Sequence, residues 1–192
     1  MILMGLTVSY IVTACWLIFI AYWVVAAVRV KQTVERESIG SAIRQRIPLT
    51  IGWLLMVYRK FPSPLNYQLI PETDAVLITG TVVAVAGLLV AIWARHTLAD
   101  NWSANVTFKQ GHELIRTGPY RLVRHPIYTG ILLMWLGTVI NIGELRGFIS
   151  LLLAIFAFWI KLLQEERLML QHFPDQYPAY RQQVKALVPF VV

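Results

Sequence analysis

Apolar residues along this chain fall into five blocks separated by polar, proline-bearing segments. Ile2 to Val28 carries no charged residue. At about 1.5 Å rise per residue its length exceeds the roughly 30 Å of a bilayer's hydrocarbon core. It is too long for a secretory signal, lacks a basic start and has no convincing cleavage context, so it predicts a transmembrane helix. A polar connector, Arg29 to Arg46, leads to a second apolar run, Ile47 to Tyr58, which Pro48 suits as a first helical turn. Twelve residues rise only about 18 Å, so this helix must borrow from its flanks (about 47–60), tilt little or stop short of crossing. Phe61 to Pro71 holds three prolines and reads as an interfacial loop. Asp74 then caps a third helix running to Ala94.

The character changes after Arg95. No spanning segment occurs until Ile127 to Ile142, the fourth block; Gly143-Glu144-Leu145-Arg146 makes a tight turn, and Gly147 to Leu163 returns as the fifth. The last two blocks predict a helical hairpin, each slightly short for a perpendicular crossing. Beyond Gln164 the tail is polar and amphipathic, with Pro174 and Pro178 interrupting any long helix. Neither an internal repeat nor a low-complexity region is present. The fold class is all-α: a polytopic membrane protein of about five transmembrane helices, with the last two a hairpin. Residues 1–94 form an N-terminal set of helices (about 2–28, 47–60 and 74–94), and 95–192 a second region with helices at about 127–142 and 147–163 and a polar tail.

Composition agrees with the pattern. The chain of 192 residues is 57% hydrophobic and 14% charged, with a mean hydropathy of +0.60, whereas soluble domains carry about 25% charged residues. The net charge of +7 comes without a basic helix or aromatic platform for nucleic acid. Basic loops on one side of a membrane account for it better. With the N-terminus outside and all five runs crossing, fourteen of the 17 Lys and Arg residues lie on the inner side. Only Arg59, Lys60 and Arg146 lie outside. Cys15 is the single cysteine, so no intrachain disulfide can form.

The candidate chemistry is concentrated in His112 to Tyr128, HELIRTGPYRLVRHPIY, and in Glu165-Glu166. His112-Glu113 begins like a zinc-protease motif but lacks the second histidine four positions on, and no metal is expected. Proline pushes the residue before it out of the α region, so His125 is expected to be extended, with Pro126 starting the fourth helix. Gly118-Pro119-Tyr120 is a turn signal, and the helix start offers free N–H groups for a carboxylate or a hydroxyl. The same residues also fit a helix cap within an interfacial basic cluster. Lys161 and Glu165 lie four apart on one helical face, which fits either a site or a surface pair. Two glutamates at the end of a helix oppose its macrodipole and call for a cationic partner.

GPYRLVRHPIY, an apolar hairpin, and EERLMLQHFPDQYPAYRQQV ending in VPF together resemble the isoprenylcysteine carboxyl methyltransferase and phospholipid methyltransferase superfamily. Asn101-Trp102-Ser103 and His112 to Ile115 fit the same pattern, and the match covers about residues 95–190. The resemblance implies that residues 95–192 are the catalytic region and that S-adenosylmethionine is the methyl donor, bound in a cofactor pocket on the cytoplasmic face. The donor would be held by His112, Glu113, Leu114, Ile115, Tyr120, His125, Pro126, Ile127, Tyr128 and Glu165. Glu165 and His125 are the implied catalytic residues, and Lys161 and Glu166 the implied substrate contacts. The implied acceptor is a lipophilic small molecule or lipid-modified group, such as an isoprenylcysteine-like carboxylate or a lipid amine, reached from the bilayer. One departure is Lys161, which stands where the isoprenylcysteine enzymes carry an arginine, keeping the charge but losing the planar fork. A membrane reductase of the sterol or steroid type, with a nicotinamide cofactor and an Arg-His-Pro-x-Tyr-like motif, is the alternative; the Glu165-Glu166 pair and the short chain favour the methyltransferase. A non-catalytic scaffold or small transporter explains the helices but not the clustered polar residues. The expected location is the plasma membrane of a prokaryote, with the active site facing the cytoplasm.

Overall fold

The computed structural model describes residues 2–27, 33–36, 39–99, 107–109 and 114–191. These residues contain six α-helices: α1 (Ile2–Ala27), α2 (Ile39–Val57), α3 (Asp74–Leu98), α4 (Pro126–Ile142), α5 (Leu145–His172) and α6 (Tyr177–Gln183). Thr7–Ala27, α3 and α5 are long and apolar enough to cross a membrane; α4 is apolar but shorter. The architecture is helical, with one departure from the all-α expectation. Thr33–Arg36 (β1) pairs antiparallel with Thr107–Lys109 (β2), so two polar connectors satisfy backbone groups on each other.

Helix ends differ from the sequence pattern in three places. The second helix starts at Ile39, leaving Pro48 in its interior instead of its first turn. The apolar run is too short by itself, and the helix takes in its polar flank, where buried Gln45 pairs with Gln164 of α5. The third helix is capped by Thr73, whose hydroxyl accepts from the Val76 N–H at 3.3 Å, and Asp74 occupies the first turn, where its charge suits the dipole. The largest difference is α5. It continues to His172 because no proline interrupts it before Pro174. The Glu165-Glu166 pair therefore lies inside a helix and not at its end, and the macrodipole does not explain it. At about 1.5 Å per residue, Glu165 is roughly 30 Å along α5 from Leu145, a length comparable to the thickness of a hydrocarbon core.

Helices α3 and α4 make the most extensive contact, and it is a glycine crossing. A Cβ on Gly130 would lie 2.6 Å from the Ala91 nitrogen and 2.7 Å from the Gly87 carbonyl oxygen. One on Gly137 would overlap the Gly80 carbonyl. Small residues let membrane helices approach this closely. Two apolar cores flank the crossing. One gathers Trp16, Trp53, Trp135, Met134 and Val139, with the Trp135 indole donating to Ser150 at 2.6 Å. The other gathers Ala94, Tyr120, Ile127, Tyr128, Phe158 and Leu162 with Ala186 and Leu187 of the C-terminal tail.

The helix ends sort the cations. Arg95 of α3 donates to the Ala26 carbonyl of α1 at 2.8 Å, placing both C-termini at one end with the start of α4. At the opposite end, Gly143 ends α4 in the left-handed conformation (φ 65°), and loop 58–73 folds over the hairpin. Leu69 and Ile70 donate there to the Gly143 carbonyl at 2.8 and 3.1 Å.

Candidate active site

The site end is built where the start of α4 meets the last third of α5. A single 3-10 turn, Gly118–Arg121, is opened by Gly118 at φ 57°, and it buries Pro119 and Tyr120. His125 follows as the N-cap of α4, at φ −123° and ψ 59°, outside the α region but short of fully extended. Pro126 opens the helix, where its missing N–H costs nothing. The N–H groups of Arg124 and His125 are not left for a ligand. They donate to the Lys185 and Ala186 carbonyls of the tail at 2.8 and 2.9 Å.

His125 lies between the two glutamates of α5. Its Nδ1 is 3.5 Å from Glu165 Oε2 and its Nε2 3.4 Å from Glu166 Oε1. The Nε2 atom is buried, yet its geometry makes no hydrogen bond. Burial disfavours the imidazolium, but the carboxylates of Glu165 and Glu166 on either side outweigh it and raise the His125 pKa above its ordinary value. The Tyr128 hydroxyl donates to Glu165 Oε1. Its ring stacks parallel to His125 with centroids 5.5 Å apart and leans on Phe158 at 5.0 Å. Lys161 Nζ lies 5.3 Å from the centre of the Tyr128 ring, a cation–π placement that keeps the ammonium within the site.

A second layer holds the carboxylates. Arg124 donates to Glu166 Oε1 through Nε at 2.8 Å and also through Nη2. Arg181 Nε approaches the other oxygen at 3.2 Å. The Tyr180 hydroxyl donates to the Tyr120 carbonyl at 2.6 Å, fixing α6 to the 3-10 turn. Burial pushes the Tyr180 phenol up to about 12 and also raises those of Tyr120 and Tyr177, so these hydroxyls stay protonated. Among the described residues, no cluster of three or more His, Cys, Asp or Glu has the arrangement of a metal site.

The structure thus brings together His125, Tyr128, Lys161, Glu165 and Glu166, although the two groups are about forty positions apart in sequence. Ile115, Tyr120 and Ile127 line the apolar core directly behind them, Pro126 is buried, and Leu114 is half-buried nearby in sequence. His112 and Glu113, like Asn101-Trp102-Ser103, lie outside the described residues. Arg124 and Arg181, and the tail backbone at 184–187, belong to the site although the sequence pattern did not single them out. Arg124 stood next to His125 in a basic cluster that fitted an interfacial role equally well. Nothing local marks Arg181.

With this geometry in place, residues 75–176 match the family model described as phospholipid methyltransferase. The chain belongs to that family. The matched region runs from the first turn of α3 to the end of α5, and so contains both halves of the site. The chain is also 29% identical over 115 residues to a probable protein-S-isoprenylcysteine O-methyltransferase of Oryza sativa subsp. indica, covering 58% of this chain and 60% of that protein. It is 27% identical over 137 residues to protein-S-isoprenylcysteine O-methyltransferase of Saccharomyces cerevisiae, covering 68% of this chain and 56% of that one. A shorter stretch of 72 residues is 36% identical to methanethiol S-methyltransferase 1 of Bradyrhizobium diazoefficiens, covering 37% of this chain and 24% of that protein. The chain spans about three fifths of the length of the first two relatives.

Proposed function

We propose that this protein is an integral membrane methyltransferase that uses S-adenosylmethionine to methylate a lipophilic acceptor. The observation that carries the reading is the convergence of Glu165, His125 and Tyr128 inside the segment shared with the family. We read α1 to α5 as crossing, with the site end cytoplasmic, because Arg95, Arg116, Arg121, Arg124, Arg181 and Lys185 lie in the described segments around it. Residues 95–192 then form the catalytic region.

The residues fit the donor. Glu165 supplies a carboxylate for an ammonium or a sulfonium, and the buried Nε2 of His125 is a polar atom without a hydrogen-bond partner that a hydroxyl or carboxylate would satisfy. Tyr128 and Phe158 provide an aromatic wall, with Tyr120, Ile115 and Ile127 behind it. His112 to Ile115 complete the proposed donor contacts. When bound, S-adenosylmethionine supplies a methyl group on a positively charged sulfur, a leaving group that needs no acid.

The protein's contribution is alignment and exclusion of water. Lys161, held over Tyr128, offers positive charge to an anionic acceptor, either a carboxylate or a thiolate. A carboxylate acceptor needs no base. A protonated amine or a thiol must lose a proton, and His125 or Glu165 is placed to take it. The relatives' names include both carboxyl and thiol methylation, so both acceptor types belong in the test.

Calorimetric titration of the detergent-purified protein with S-adenosylmethionine tests the reading. Saturable binding that Glu165→Gln and His125→Gln both weaken is expected. Binding of a nicotinamide dinucleotide in its place would overturn it in favour of a reductase. With donor binding in hand, methyl transfer to isoprenylcysteine analogues, lipid amines and small thiols identifies the acceptor.

A further inference from the structure

The adjacent glutamates are held in different ways. Glu165 keeps 24% of its side chain exposed and takes its short contact from Tyr128. Glu166 is 5% exposed and has arginines on both oxygens, Arg124 on Oε1 and Arg181 on Oε2. Arg124 is also spent: Nε and Nη2 go to Glu166, while Nη1 donates to the Val184 carbonyl and, at 3.3 Å, to that of Arg181. One buried guanidinium thus joins α5 to the tail. The tail is otherwise tied at the same place through the Arg124 and His125 N–H groups and through Thr129 Oγ1, which donates to the Leu187 carbonyl at 2.7 Å.

We propose that Arg124 and Glu166 are positioning residues, an ionic strap that fastens residues 181–187 across α5 and the start of α4 and thereby sets His125 and Glu165 for the donor. This rests on the methyl-donor reading above, and it gives Glu166 a role in place of a direct substrate contact.

Apolar burial at the far end of the tail is limited to two residues. Ala186 and Leu187 are buried, but Val188, Phe190 and Val191 on their C-terminal side are exposed. Beside the strap, between α5 and the tail, lies an open cleft of about 280 Å³ lined by Trp159, Leu162, Leu163, Arg181 and Lys185. Releasing the strap widens this cleft directly behind Glu166. His125 feels the release twice, because its N–H is tied to the tail and its Nε2 lies 3.4 Å from Glu166.

The test uses the whole chain in detergent, with hydrogen exchange of peptides covering 123–129 and 181–187 beside donor calorimetry. Arg124→Gln and Glu166→Gln should each speed exchange in both peptides, leave α3 protected and weaken donor affinity about tenfold. The double variant should be no worse than either single one, since both open the same strap. The reversed pair, Arg124→Glu with Glu166→Arg, should recover part of the affinity, which a general loss of stability would not allow. Unchanged exchange at 181–187 in the single variants overturns the strap. So does weakened donor binding in Glu166→Gln with exchange unaltered, which would make Glu166 a direct ligand. If the wild type ignores the donor, the methyl-donor reading falls, and the exchange data alone decide the strap.

Discussion

The two ends of the α4–α5 pair each bury an arginine beside a glutamate, and they use it differently. At the loop end, Arg146 is 4% exposed, pairs with Glu144 at 2.6 Å, and spends Nη1 on the Leu55, Met56 and Tyr58 carbonyls at 2.7, 3.0 and 2.9 Å. Those are carbonyls that the end of α2 leaves without helical partners. Arg146 is therefore a cap, closed on itself. At the other end, Arg124 neutralises Glu166 just as tightly, but it leaves His125 Nε2 buried without a hydrogen bond and Glu165 about a quarter exposed. Buried polar groups are costly unless paired. The arginine of the loop end closes a helix terminus, whereas the arginine of the other end fastens a glutamate beside a buried histidine.

The widest break in this comparison is Arg146→Met. Removing one partner of a buried pair costs about 3–5 kcal/mol, so thermal unfolding in detergent should move down sharply, while the fraction that stays folded binds the donor normally. Glu165→Gln should do the reverse. Its fold should survive, and donor affinity should fall about thirtyfold, as for loss of a charge-assisted hydrogen bond of about 2 kcal/mol, read by calorimetry.

Gly137→Ala lies between the ends and should affect both. Its methyl group would collide with the Gly80 carbonyl, and overpacking of this kind costs about 1–3 kcal/mol; unfolding would report it, with a modest loss of donor affinity beside it. The smallest effect sharpens the contrast. His125 has a raised folded-state pKa, because its two carboxylates outweigh burial. Its stabilisation is fully present below the ordinary histidine value of about 6.5 and is lost as pH rises through the raised one. The stability gap between wild type and His125→Gln should therefore shrink as the solution becomes alkaline, whereas the gap for Arg146→Met should stay flat.

Much of the helical architecture was legible in the apolar blocks. Length and the absence of charge identify α1 and α3, the run after Pro126 gives α4, and Gly143 marks the turn, because these signals are local. The end of α5 was not legible, since hydropathy falls at Gln164 while nothing there stops a helix. The start of α2 was hidden for a similar reason: its first turns are polar, and buried Gln45 finds its partner in Gln164, more than a hundred positions away. At the site, His125-Pro126 and Glu165-Glu166 stood out by residue type. Arg181 did not, because its meaning depends on the tail returning to pair with Glu166.

The sequence by itself determined that this chain is built from apolar helices and which short segments carry titratable groups. Those are matters of local composition and of the cost of placing charge in hydrocarbon. Only the tertiary structure decided which glutamate takes the Tyr128 hydroxyl and which is clamped by arginines. Successive residues on a helix point about 100° apart, so Glu165 and Glu166 meet different neighbours, and those neighbours come from α4 and from the tail.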